Sequence, residues 1–271
     1  SGNGPVIALT SAREVSAWRR AIPELGAGSG KDGYRLFVES TTGGASVIWV
    51  VGADPRGLLY GVGALLQHLD WKAGKADLPA SLDIATAPAY PIRGHQLGFR
   101  VQANSGDAWT VAQYDQYIRE LALFGANSIE NIPFQDNRTT PVMQVPRREM
   151  NRKMSEICVR YGLEYWVWTP ADFDLKDEVK RKAMIARHKE LYRDCPELTG
   201  VFFPGGDPGD NPPELVLPFL EDLSGPLLKA HPNARIWLSL QGFNAAQTDY
   251  VLDYLNQHEL PWLGGVCEGP S

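Results

Sequence analysis

Apolar and polar residues alternate at period two over Tyr34-Arg35-Leu36-Phe37-Val38-Glu39, which predicts a half-buried strand. Gly43-Gly44 signals a turn, and Ser46-Val47-Ile48-Trp49-Val50-Val51 reads as a second, more buried strand. Asp54-Pro55 suits a helix start, with Asp54 as cap and Pro55 at the first position. From Gly57 to Leu69 the chain is apolar at helical spacing. Its glycines would each cost about 1 kcal/mol relative to alanine inside a helix, so close packing on a sheet is the expected reason for them. Lys72 to Pro91, richer in Gly, Ala and Pro, reads as a linker.

Beyond Pro91 the pattern changes to strands alternating with helices. Strands are predicted over 92–100, 126–132, 163–168, 199–203, 234–240 and 262–267. Helices are predicted between them, over 111–124, 147–161, 176–193, 214–230 and 245–257. Thr110 caps the first, whose Tyr117, Leu121 and Phe124 share a face. Gly125 and Gly162 stop the first two, and Pro218 and Pro226 are expected to kink or divide the fourth. Repeated strand–helix units imply parallel strands with right-handed crossovers. A doubly wound sheet and a (β/α)8 barrel both fit; the absence of a Gly-x-Gly-x-x-Gly run after the first strand weakens the dinucleotide-binding option. About six strands are present against the eight of a closed barrel. The expected fold class is α/β: a small α/β domain over 1–88, then an incomplete TIM-barrel-like domain over 91–271.

Composition narrows the function classes. The chain has 271 residues, 44% of them hydrophobic, enough for a sizeable core and unlike a disordered segment. Lys+Arg is 26 against Asp+Glu 32, a net charge of −6, so the electrostatic footprint of a nucleic-acid binder is missing. No run of about 18 apolar residues suggests a membrane span. Cys158, Cys195 and Cys267 are too widely spaced for a zinc pattern, and their odd number argues against a disulfide framework. No His-Glu-x-x-His and no paired His/Asp cluster occurs, so neither a metal nor a cofactor is expected.

The first segment resembles the small α/β domain that precedes the barrel in α-glucuronidases and β-N-acetylhexosaminidases. The matching features are Gly33-Tyr34-Arg35-Leu36, the strand Val47 to Val51, and Gly52-Ala53-Asp54-Pro55-Arg56-Gly57-Leu58-Leu59-Tyr60-Gly61. Pro91-Ile92-Arg93-Gly94 then resembles the first barrel strand of those enzymes. The resemblance implies a glycoside hydrolase acting on terminal uronic acid or hexosamine residues, a carbohydrate partner, and a periplasmic or secreted setting. A homo-oligomer or a further C-terminal segment would complete the barrel. One departure bears on mechanism. The hexosaminidases carry Gly-Gly-Asp-Glu after the fourth strand, whereas this chain has Gly205-Gly206-Asp207-Pro208. The aspartate is kept and the acid is replaced, which points to the glucuronidase side, with a noncatalytic sugar-binding relative or an inactive fragment of a larger glycosidase as the alternatives.

Glycoside hydrolysis needs two carboxyl groups about the scissile bond. Asp207 and Asp210 follow the fourth barrel strand and Glu268 the sixth, so Asp207 and Glu268 are the expected pair, with Asp207 as acid and Asp210 in reserve. Glu130 within the second strand and Asp172 past the third are weaker candidates, with structural ion pairs as the alternative. Arg93 and Arg100 lie on the first strand and suit a sugar carboxylate, although their odd spacing turns them to opposite faces. Asn131 and Gln241 at strand ends are expected to bond sugar hydroxyls, and Trp168 and Trp237 to offer a stacking face.

Overall fold

The computed structural model describes residues 4–12, 14, 24–40, 45–100, 103–104, 108–132 and 143–268, with backbone alone at 99, 100, 103 and 104. The chain divides into two compact units, 1–93 with 119–127 and 94–118 with 128–271.

The first unit contains strands β1 (Val6–Ser11), β2 (Tyr34–Glu39) and β3 (Val47–Gly52) and helix α1 (Pro55–His68). A hairpin of β4 (Asp70–Lys72) and β5 (Lys75–Asp77) follows, then β6 (Asp83–Thr86). The sheet order is β1-β3-β2-β6, with β1 parallel to β3 and the other pairs antiparallel. One face buries Leu36, Ile48 and Val50 with Ala64 and Leu65 of α1; the other buries Ala8, Phe37, Trp49 and Val51. Asp54 caps α1 as its sequence suggests, its side chain accepting the Gly57 N–H at 2.8 Å. The glycines of α1 mark close approaches. A Cβ at Gly57 would lie 2.0 Å from the Gly33 carbonyl oxygen, at Gly61 2.5 Å from Val50, and at Gly63 1.9 Å from the Leu123 carbonyl oxygen. The linker expected over 72–91 is corrected: it holds part of the hairpin and β6, which pairs with β2. A four-residue strand, Asp-Ile-Ala-Thr, is too short for its alternation to stand out.

A buried carboxylate ties this unit together. The Asp32 side chain is only 3% exposed and takes Arg56 Nε at 2.9 Å and Arg93 Nη2 at 2.8 Å. Arg93 also donates from Nε to the Gly125 carbonyl at 2.8 Å and from Nη1 to the Tyr90 carbonyl at 2.7 Å. Its Nη2 further donates to the Tyr60 hydroxyl at 3.2 Å, and that hydroxyl donates to the Ala126 carbonyl. The expected sugar-binding role of Arg93 is therefore corrected. It stands just before the start of the next strand, the end opposite to the one that carries a barrel's active site, and its guanidinium is committed to internal partners.

In the second unit, β7 (Gly94–Leu97) is followed by the short pair β8 (Phe99–Arg100) and β9 (Ala103–Asn104), and by helix α2 (Val111–Leu123), of which residues 119 onward fall in the first unit. Then come β10 (Ser128–Asn131), α3 (Arg147–Tyr161), β11 (Glu164–Trp168), α4 (Glu178–Asp194), β12 (Gly200–Phe203), α5 (Pro213–Ala230), β13 (Arg235–Ser239), α6 (Ala245–Gln257) and β14 (Leu263–Cys267). Strands β7, β10, β11, β12, β13 and β14 form one parallel sheet in chain order. The single strand expected over 92–100 breaks at Gly98, whose φ of +101° suits glycine and whose Cβ would meet Asn131 Oδ1 at 2.3 Å.

Period-two alternation sorts the sheet's residues onto two faces. Ile129, Tyr165, Val167, Val201, Phe203, Ile236 and Leu238 are fully buried on the helix side, where Phe203 meets Phe219 of α5 and His95 meets Tyr117 of α2. Gln96, Glu130, Trp166, Trp168, Phe202 and Trp237 occupy the opposite, inner face, as the strand registers require. On α2 the fully buried stripe is Tyr114, Ile118 and Ala122, not the expected Tyr117, Leu121 and Phe124; Phe124 is 73% exposed. Helix α5 is not divided by its prolines. Pro218 and Pro226 each deprive the carbonyl four residues earlier of its donor, and those residues, Glu214 and Asp222, are exposed to water.

Breaking a buried ion pair from one side typically costs about 3–5 kcal/mol. Arg93→Ala leaves Asp32 its bond to Arg56, so a loss of about 2–3 kcal/mol is expected in urea unfolding. Asp32→Ala, which orphans both arginines, is expected to lose more. A loss below about 1 kcal/mol for both variants would reduce the network to ordinary surface pairing.

Candidate active site

The loops at the C-terminal ends of the parallel strands are bound to one another. A Cβ on Gly205 would lie 2.5 Å from the Ser239 carbonyl oxygen and 2.6 Å from that of Gln241. Gly205 has a φ of +75°, and the Gly206 N–H donates to the Gln241 carbonyl at 2.9 Å. Two glycines thus let the loop after β12 lie directly on the loop after β13. Asn211, 3% exposed, fastens the other side: Oδ1 accepts from the Leu175 N–H at 2.8 Å, and Nδ2 donates to the Phe173 carbonyl at 2.9 Å.

Two of the expected site residues meet on this platform. Gln241 Nε2 donates to Asp207 Oδ2 at 2.6 Å, and Asp207 is otherwise exposed to solvent. Asp210, in the same loop, is exposed with a left-handed φ of +49°. Glu268 directly follows β14 and is exposed, with no hydrogen-bond partner among the described residues. Trp237 lies on the inner face with its ring 5.8 Å from that of Trp166, and Cβ atoms on Gly264 and Gly265 would strike it. Trp168, one strand layer above Trp166, is half-buried on that face. The Arg100 side chain lies outside the described residues.

Asn131 is not on the inner face. It is 3% exposed on the helix side, where Nδ2 donates to the Tyr165 hydroxyl at 3.2 Å. That hydroxyl donates to Asn151 Oδ1 at 3.0 Å, and Asn151 Nδ2 donates to the Arg147 carbonyl at 2.9 Å. The chain of bonds ties the end of β10 to the first turn of α3, and burial raises the Tyr165 hydroxyl well above its usual range. A small cleft, partly open to solvent, adjoins it and is lined by Trp109, Asn131, Met143, Arg147 and Met150. It holds none of the expected carboxyl groups.

Glu130 emerges as the carboxyl with the most unusual surroundings. It projects from the inner face of β10, in register with Gln96 on one side and Trp166 on the other. Gln96 Nε2 donates to its Oε1 at 2.7 Å. No cation pairs with it among the described residues, so the ion pair expected as the alternative is replaced by a neutral amide. Burial pushes its carboxyl up to about 7, against the smaller opposing effect of the Gln96 bond. Burial also raises the Cys267 thiol, and the Glu130 carboxylate adds to that rise. Strands β10 and β14 are four steps apart in the sheet, about 19 Å if it were flat. The sequence signal for Glu130 was one acidic residue in an otherwise apolar strand, which by itself does not separate a site from an ion pair.

A carboxyl raised on folding binds its proton more tightly in the native chain than in the unfolded one. Stability therefore falls as pH rises from the unfolded value near 4.5 to about 7, and the loss is complete above that. Glu130→Gln is expected to be more stable than the unaltered chain at pH 8 by about 1–3 kcal/mol, and equal to it at pH 4. Urea unfolding at both values measures this. A constant difference across pH would mean that Glu130 titrates as an exposed carboxyl.

No family model and no curated protein matches the chain. Solved structures do. A glycoside hydrolase family 20 β-N-acetylglucosaminidase superposes with a TM-score of 0.65 at 16% identity, over 98% of this chain and 66% of its own. The β-N-acetylhexosaminidase of Streptomyces coelicolor A3(2) gives 0.57 at 16%, over 88% and 60%. The exo-β-N-acetylglucosaminidase of Vibrio harveyi gives 0.59 at 12%, over 89% and 47%. The chain thus spans roughly half to two thirds of the length of these enzymes. Its fold resembles theirs, a small α/β domain and six parallel strands of a TIM-barrel-like glycoside hydrolase.

Proposed function

We propose that this chain is, or is part of, a glycoside hydrolase that removes terminal sugar residues of the hexosamine or uronic acid type. One observation carries the reading. In a fold shared with glycoside hydrolases, Asp207 and Gln241 are bonded to each other at the C-terminal ends of adjacent parallel strands, where barrel enzymes place their chemistry. Asp207 and Glu268 are the proposed carboxyl groups, Asp210 stands in reserve, and Gln241 orients Asp207. Trp168 and Trp237 offer indole faces to a sugar ring, and Asn131 fixes the end of β10 rather than touching the sugar directly. The uronic acid alternative loses Arg93 to the Asp32 network and rests on Arg100. A hydrolase of this type in a periplasmic or secreted setting would serve polysaccharide degradation, with α-glucuronides among its substrates.

A second reading, a noncatalytic sugar-binding protein, is favoured by Pro208, which stands where the resembling hexosaminidases carry their acid. Turnover separates the two. Asp207→Asn and Glu268→Gln are each expected to lower hydrolysis of a natural glycoside by roughly 10²–10⁴-fold, with sugar affinity kept within a few-fold. Wild-type rates in both variants would remove these residues from the mechanism. Sugar binding without turnover by the unaltered chain would establish the second reading. Arg93→Ala is expected to leave the affinity for glucuronate unchanged.

A further inference from the structure

Protonation of the leaving oxygen requires a carboxyl group that still holds its proton near neutral pH, and the loop after β12 does not supply the usual one. Its Asp207 is solvent-exposed and uses one oxygen to accept from Gln241, and the next residue is Pro208. The inner wall supplies another carboxyl. Glu130 is oriented by the Gln96 amide through Oε1, and its other oxygen has no partner among the described residues. By strand register, Glu130 and Cys267, the residue before Glu268, project from the same inner face of the sheet. The surroundings are apolar and aromatic: Trp166 is its neighbour in register, and Phe202 and Trp237 follow on the same face.

We propose that Glu130 is a catalytic residue of this site, the proton donor to the glycosidic oxygen, taking the place of the acid that Pro208 displaces from the loop after β12. The inference rests on the glycoside hydrolase reading above. In the step, the Glu130 O–H bond breaks and the proton passes to the glycosidic oxygen. The bond from that oxygen to the anomeric carbon breaks with its electron pair left on the oxygen. Water gives its hydroxyl to the anomeric carbon, and the proton it sheds balances the one that Glu130 gave. The titratable groups sharing the inner face are Glu164, nearer the strand starts on β11, Arg235 at the start of β13, three strands from β10, and Cys267 on β14; burial and the Gln96 bond, not the Arg235 charge, set the Glu130 carboxyl. The position of its titration near neutrality is consistent with this role.

The test uses the chain with methyl and dinitrophenyl glycosides of N-acetylglucosamine and glucuronic acid, in both anomeric forms. Glu130→Gln is expected to lose roughly 10²–10⁴-fold in kcat on the methyl glycoside that the unaltered chain hydrolyses. It should lose less than about 10-fold on the dinitrophenyl glycoside, whose leaving group needs little protonation. The limb of the kcat/KM profile that falls as pH rises through about 7 should disappear with the carboxyl. Equal losses on both leaving groups, or a falling limb that persists in Glu130→Gln, would overturn the assignment. If Glu130→Gln keeps wild-type rates while Asp207→Asn is inactive, Glu130 is excluded and the glycoside hydrolase reading stands. If no glycoside is turned over by the unaltered chain, that reading fails and the role of Glu130 falls with it.

Discussion

The parallel sheet must bury one face under its helices, and the chemistry of the other face follows from that. Ile129, Tyr165, Val167, Val201, Phe203, Ile236 and Leu238 are completely buried on the helix side. Each such side chain contributes about 1.5–3 kcal/mol relative to exposure, so register is held strongly. A slip of one residue would bring Glu130 and the tryptophans under the helices and expel the aliphatic set. Glu130 therefore has no alternative to the inner wall, although burial there opposes its charged form. The cost is borne by the seven residues on the opposite face.

Backbone proximity, more than side-chain attraction, builds the upper rim. Gly205 and Gly206 lie against the carbonyls of Ser239 and Gln241, and Asn211 bonds backbone atoms of Phe173 and Leu175. Three consecutive loops are thereby fixed to one another before any ligand arrives. Asp207 gains its position from this lacing: the bond from Gln241 is short because the two loops are already in contact. A site held by loop backbone in this way needs little reorganisation to bind, which is the condition for electrostatic preorganisation.

The alternation of strands and helices after Pro91 was legible because each buried stripe is long and each helix has a glycine stop or a polar cap. Gly162 ends α3 in the left-handed region, and Asp177 and Asn244 cap α4 and α6. Short elements were not legible. Strands of three or four residues, such as β4 to β6, carry too few positions for periodicity. Position after strands β12 and β13 pointed to Asp207 and Gln241 as candidates, but the bond between them depends on the loop contact and is not visible in the sequence. The partner of Arg93 is not visible in its neighbourhood: Asp32, sixty-one residues earlier, claims its guanidinium. Asn131 misled because the face of a strand's last residue depends on register, and register is a property of the sheet.

Two carboxylates in water at a barrel's mouth are chemically alike; they acquire different roles only where their surroundings differ. Asp207 and Glu268 both stand exposed. Glu130 differs from them in being half-buried on the inner face, between Trp166 in register on one side and the Gln96 amide on the other. Desolvation penalises its charge, and no cation among the described residues repays that penalty. A carboxyl so placed either weakens the fold for no return or serves a reaction that needs a proton held near neutrality.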